Sequence, residues 1–247
     1  MEHYERLGAH YEELWEHSTR FREWMCDRIL ELAPCPPGAS IADIGGGTGI
    51  YADALVDRVP NATVFVIDPA EGMLARVPRR AGVIAVHADA AHAVDALANL
   101  NTSRVDLVLV KEAVHHFQEP AAELASLASL VGPGGRLLVV MLPTVITYPL
   151  FEKALARFTE LQPDPSDIAA MLESAGLNVH REQDGYELTI SSGKWISMVQ
   201  NRFMSLLSTY DDDELTTGVA EIRSRLAGVE SVTFEDTFEF LVGEKVA

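Results

Sequence analysis

The sequence predicts an α/β protein with a doubly wound, mostly parallel sheet. Three observations carry that reading. Apolar strand-like runs alternate with helix-periodic stretches from about residue 39 to 142, the pattern of strands joined by crossover helices. The run Ile41-Ala42-Asp43-Ile44 leads straight into Gly45-Gly46-Gly47-Thr48-Gly49, a turn dense in residues free to take φ > 0. A second run, Ala62 to Ile67, ends in Asp68, an acid at the carboxyl end of a strand. The 247 residues suit one such domain with insertions.

The elements follow in order. Residues 3–33 read as two helices, and on the first Tyr4, Leu7, Tyr11, Leu14 and Trp15 recur at helical spacing. That stripe serves either as core packing or as a lid. After Gly49, the positions Tyr51, Ala52, Ala54, Leu55 and Val59 fit a helix packed on a sheet. Strands are expected at Val83–Ala90 and Val105–Val110, and a glycine turn at 132–135 leads into another. Residues 144–226 hold several helices around one strand-like segment, Leu177 to Ile190. On the helix from Gly193, the residues Trp195, Met198, Val199, Phe203 and Leu206 make one apolar stripe, and Arg202 falls on it. An arginine so placed needs an anion. The partner is either a nearby Asp or Glu or a substrate carboxylate held two-pronged. Asp211-Asp212-Asp213-Glu214 reads as a helix start, because carboxylates favour the positive N-terminus. Residues 231–242 alternate with a period of two, which predicts an edge or near-edge strand.

Composition excludes several classes. The net charge of −18 repels phosphate backbones, and Arg79-Arg80 is the only adjacent basic pair. DNA, tRNA and rRNA are poor partners for such a chain. Cys26 and Cys35 make neither a zinc spacing nor a disulfide framework. The start, Met-Glu-His-Tyr-Glu-Arg, lacks an apolar run, so a cytoplasmic location is expected. The longest apolar stretch, Leu137 to Phe151, is broken by Pro143 and Pro149 and is too short for a bilayer. Neither a nucleic-acid nor a membrane partner is expected. A homodimer stays open, with an exposed apolar patch at 192–208 as its sign.

The glycine turn suggests a ligand. Gly45, Gly47 and Gly49 would let it approach bare N–H groups, and Asp43 can reach a cation or a ligand hydroxyl. The spacing is not the dinucleotide fingerprint, because the sixth position from Gly45 is Ile50. Asp68 lies roughly 20 residues past the glycines, where a carboxylate can bind the two hydroxyls of a ribose.

These motifs resemble the class I S-adenosylmethionine-dependent methyltransferases. Val83-Ile84-Ala85-Val86-His87-Ala88-Asp89-Ala90 is similar to that family's third strand, Val105 to Val110 to its fourth, and Lys111-Glu112-Ala113-Val114-His115-His116-Phe117 to the loop after it. Gly132 to Val140 looks like the turn into the fifth strand. The resemblance covers about residues 38–142. It implies a single Rossmann-like domain over 1–247, with seven strands and the last antiparallel. Residues 1–35 would form a helical lid, and 191–228 a helical insertion before the last strand. It also implies S-adenosyl-L-methionine as cofactor, held by Asp43, Gly45, Gly47, Gly49, Asp68, Met73, Asp89, Ala90 and Lys111, with Tyr4 and Tyr11 closing over it. Asp89 would face the adenine amino group.

The implied reaction is methylation of a small biosynthetic metabolite at O, N or C by in-line displacement. The protein then needs an apolar, dry pocket, and in some cases a base. Val145, Ile146, Tyr148, Leu150 and Phe151 either line that pocket or cover the sheet. His115 and His116, beyond the fourth strand, are the candidate bases, with Tyr11 as a further catalytic candidate. His87 and His92 read as surface or structural, and no metal centre is expected. Two alternatives stay open: a non-methylating use of the sulfonium such as intramolecular cyclisation, and a non-catalytic cofactor-binding module.

Overall fold

The computed structural model describes residues 19–245. Helix α1 (Thr19–Leu32) precedes β1 (Ser40–Ile44), α2 (Ile50–Arg58), β2 (Thr63–Asp68), the one-turn α3 (Glu71–Leu74) and β3 (Val83–His87). Then come α4 (Ala93–Ala98), β4 (Val105–Lys111), α5 (Pro120–Leu130) and β5 (Val131–Met141). The second half holds α6 (Glu152–Leu161), α7 (Pro165–Ser174), β6 (Asn178–Ser191), α8 (Ser192–Gln200), α9 (Asp212–Arg225) and β7 (Ser231–Glu244). Single 3-10 turns cover Ala90–His92, Val114–His116 and Ser205–Thr209. Tyr4, Leu7, Tyr11, Leu14 and Trp15 lie outside the described residues.

The seven strands form one sheet in the order β3-β2-β1-β4-β5-β7-β6. Strands β1 to β5 are parallel, and β7 runs antiparallel to both β5 and β6. Alternate residues feed two separate cores, as a strand period of two requires. Ile41, Leu107 and Leu138 face α1, α2, α8 and α9, whereas Ala42, Val108 and Val139 face α4, α5 and α7. The central strands are therefore covered on both faces, which is why they read as continuous apolar runs. Strand β7 is second from the edge, with β6 outside it.

Two local expectations change. The glycines at 132–135 lie within β5, which pairs Val105 with Val131 and then shifts to pair Leu107 with Arg136. Gly134 takes φ +71° in that irregularity. Helix α8 stops at Gln200, and Arg202 adopts a left-handed φ of +55°. Phe203 and Leu206 thus continue the apolar stripe through a turn rather than a helix. The Arg202 guanidinium donates to the Tyr210 carbonyl at 3.0 Å and to Asp212 at 2.9 Å, so its anion comes from the chain itself. Asp211 caps α9 and exchanges hydrogen bonds with Glu214 in a full capping box. Among the described residues no helix is long and apolar enough to cross a membrane.

Candidate functional site

A cavity of about 520 Å³ opens at the carboxyl ends of β1, β2 and β4, the rim where open α/β sheets take their ligands. Asp43, Gly45, Gly47, Asp68, Met73, Asp89, Ala90, Lys111 and His116 all line it. Gly49 and His115 are not among the lining residues. Tyr4 and Tyr11 fall outside the described residues.

The turn after β1 is built by close contact. Gly45 has φ +70°, and a Cβ there would sit 2.5 Å from the Ala113 Cβ. At Gly46 a Cβ would fall 2.6 Å from the Asp43 carboxylate. Gly49, at φ +75°, starts α2 and faces Val77 and Pro78 instead of the cavity. The expectation of bare amides does not hold here. Gly45 N–H donates to the Ile67 carbonyl at 2.8 Å, Gly47 N–H to Asp68 Oδ2 at 3.0 Å, and Gly49 N–H to the Gly46 carbonyl at 2.9 Å. A tight turn satisfies its own donors when they are buried. What the absent side chains allow is the close packing of the turn against Ala113 and Asp43.

Asp68 ties the turn to the next strand. Its Oδ2 accepts from Gly47 and its Oδ1 from the Ala70 N–H at 2.8 Å. Each carboxylate oxygen has more than one lone pair, so both keep acceptor capacity. Burial raises its pKa and the two backbone donors oppose that rise. Asp43 is buried below the turn, and burial pushes its carboxyl up to about 7; Lys111 works against that rise and Asp68 adds to it. Asp89 caps the Ala90–His92 turn, its Oδ1 accepting from the His92 N–H at 3.0 Å and meeting His92 Nδ1 at 2.6 Å. His92 is thus a structural partner of Asp89, and the carboxylate raises its pKa.

Lys111, the last residue of β4, forms part of the cavity wall. Its Nζ bonds Glu112 Oε2 at 2.8 Å and lies 4.7 Å from the Tyr51 ring centroid and 5.6 Å from that of Phe238. Glu112 adopts φ +49° while its N–H still donates to the Val140 carbonyl at 2.7 Å. A left-handed glutamate is costly, and such strain gathers at functional sites. Sequence reasoning missed Glu112. The signal was there: two opposite charges directly after an apolar strand. The rings of His115 and His116 lie 4.1 Å apart, but only His116 faces the cavity. Burial lowers the His115 pKa, with Glu112 opposing.

Residues 144–151 take no part in lining this cavity. Val145, Ile146 and Tyr148 border a second cavity of about 520 Å³ beside Arg181 and Glu239, while Leu150 and Phe151 are core. Buried Glu239 there grips Arg181 two-pronged at 2.6 and 2.7 Å. The Tyr148 hydroxyl donates to buried Asp236, whose pKa burial raises to about 7, Glu112 adding to the rise. No group of three metal-ligating side chains occurs among the described residues.

Comparison with known proteins fits this geometry. The profile of a methyltransferase domain matches residues 15–182. An uncharacterized methyltransferase of Mycobacterium tuberculosis is 35% identical over 121 residues, 48% of this chain. The match spans 58% of that relative's length. The trans-aconitate 2-methyltransferase of Methylobacterium nodulans is 33% identical over 115 residues, 46% of this chain and 42% of that protein. Among solved structures, a methyltransferase assigned to an antibiotic biosynthesis pathway of Anabaena variabilis superposes with a TM-score of 0.67. That match covers 89% of this chain and 96% of the other at 16% identity. Phosphoethanolamine N-methyltransferase 2 of Haemonchus contortus, solved with S-adenosyl-L-methionine, gives 0.61 over 98% of this chain and 57% of the other at 14% identity.

Proposed function

The chain belongs to the methyltransferase-domain family, and from that premise we propose that it methylates a small-molecule acceptor with S-adenosylmethionine. The observation that carries this reading is Asp68, an acid at the tip of β2 that clamps the glycine turn and still has acceptor capacity toward the cavity. The cavity volume suits one small molecule and its partner.

The residues present fit the cofactor. Gly45, Gly46 and Gly47 line the cavity without side chains, Asp68 offers oxygens for paired ribose hydroxyls, and Asp89 Oδ2 lacks a partner among the described residues for a base amino group. When bound, the cofactor supplies a methyl carbon activated by its positive sulfur. The chain's own part is to hold the acceptor in line and exclude water. His116 is the histidine within the cavity and therefore the one able to take an acceptor proton. Half-buried His115 instead packs against it. The acidity of the chain weighs against nucleic-acid acceptors, and the relative named for trans-aconitate supports a small metabolite.

Calorimetry with S-adenosylmethionine and S-adenosylhomocysteine tests this. The wild type should bind both, and Asp68→Ala should weaken both by about 10-fold or more. Absence of heat with the wild type, or full binding by the variant, overturns the reading.

A further inference from the structure

One carboxylate of the cavity wall is held by a single residue that does not itself line the cavity. Asp89 lies just past the end of β3 and lines the cavity between Ala88 and Ala90. Among the described residues, the donors that reach it come from His92 alone, the backbone N–H at 3.0 Å and ring Nδ1 at 2.6 Å. Both meet Oδ1. The His92 side chain is 72% exposed and is not among the lining residues.

The neighbouring acid is held differently. Asp68 has one backbone donor on each oxygen, from Gly47 and Ala70, so the chain fixes its plane without help from a side chain. For Asp89 the backbone gives only the cap to the turn Ala90–His92, and any residue at 92 with an N–H supplies that. A single donor leaves an aspartate free to turn about its last torsion, which is broad and roughly two-fold, and either oxygen can then serve as the cap. The imidazole removes that freedom by adding a second hydrogen bond to the same oxygen. A ring nitrogen so close to a carboxylate oxygen must carry a proton, which the Nδ1–H tautomer and the imidazolium both supply.

We propose that His92 is a positioning residue for adenine recognition: its ring pins Oδ1 of Asp89 and reserves Oδ2 for the exocyclic amino group of the cofactor. The inference rests on the S-adenosylmethionine reading and deepens it. A purine with an amino group donates to Oδ2, whereas one with an oxygen at that position sets two acceptors against each other. His92 therefore governs selectivity for the aminopurine rather than affinity for the nucleoside as a whole.

The test compares the wild type with His92→Ala, which keeps the cap N–H and removes the ring, and His92→Asn, whose Nδ2 takes the place of Nδ1 and restores a donor. At so exposed a position both variants should unfold at the wild-type temperature. Calorimetry uses S-adenosylhomocysteine and S-inosylhomocysteine, which carries oxygen in place of the amino group. The wild type should favour the former. H92A should lose about 3- to 10-fold for S-adenosylhomocysteine and nothing for S-inosylhomocysteine, and H92N should regain most of that loss. Equal weakening of both compounds, no weakening of either, or H92N behaving as H92A overturns the proposal. Equal binding of the two compounds by the wild type also overturns it and leaves the methyltransferase reading standing. Failure of the wild type to bind S-adenosylhomocysteine overturns that reading and the proposal with it.

Discussion

Asp43 is a carboxyl that the fold would rather keep neutral. Burial raises it from 3.8 to about 7 in the folded chain. In the unfolded chain it ionises near 3.9. The folded state therefore binds a proton that the unfolded state has lost between about pH 4 and pH 7, so stability falls as pH rises through that window. Below it the penalty is absent, and above it the penalty is complete. Asp43→Asn should then be more stable than wild type at pH 8, by on the order of 4 kcal/mol, and nearly equal at pH 4. Urea unfolding at the two pH values checks this, and equal gains at both would refute it. The neighbouring Asp68 differs because two amides hold it. Both acids were legible from their strand-end positions. Glu112 and Arg22 were not, since one depends on a left-handed φ and the other on a distant helix reaching the cavity.

Helix α9 shows how an element's residues answer to its neighbours. Glycine inside a helix normally costs up to about 1 kcal/mol against alanine. Gly218 sits mid-helix, and a Cβ there would lie 2.5 Å from the Phe151 ring. Gly218→Ala should therefore destabilise the protein by about 1–3 kcal/mol, against the propensity scale. A rise in the urea midpoint would show that the ring yields. The start of α9 was readable, because Asp211 and Glu214 are three apart and box the terminus locally. The end of α8 was not. Its apolar stripe runs on through Phe203 and Leu206, yet Arg202 turns left-handed to reach Tyr210 and Asp212. That choice is made by a partner ten residues away, which a periodicity count does not see.

At the scale of the whole chain, the charge of −18 sets the behaviour in solution. Like charges repel in the compact state, and salt screens them over about 10 Å at 0.1 M. The unfolding temperature should rise when sodium chloride is raised from 10 to 150 mM. A fall across that range would mean that the surface ion pairs outweigh the repulsion. The same excess predicts no retention on DNA or RNA at either salt.

The sequence by itself determined the parallel half of the sheet. Runs such as Val105 to Val110 must be covered on both faces, and the glycine turn with Asp68 marks the rim where the cavity opens. Those signals are local, since periodicity and turn chemistry act within a few residues. The tertiary structure alone decided that β7 inserts between β5 and β6, that the glycine amides are spent within their own turn, and that Arg22 and His116 meet one cavity while Tyr148 borders another. Each of those depends on surfaces brought together across long stretches of chain, where burial and hydrogen-bond partners are fixed only once the layers have packed.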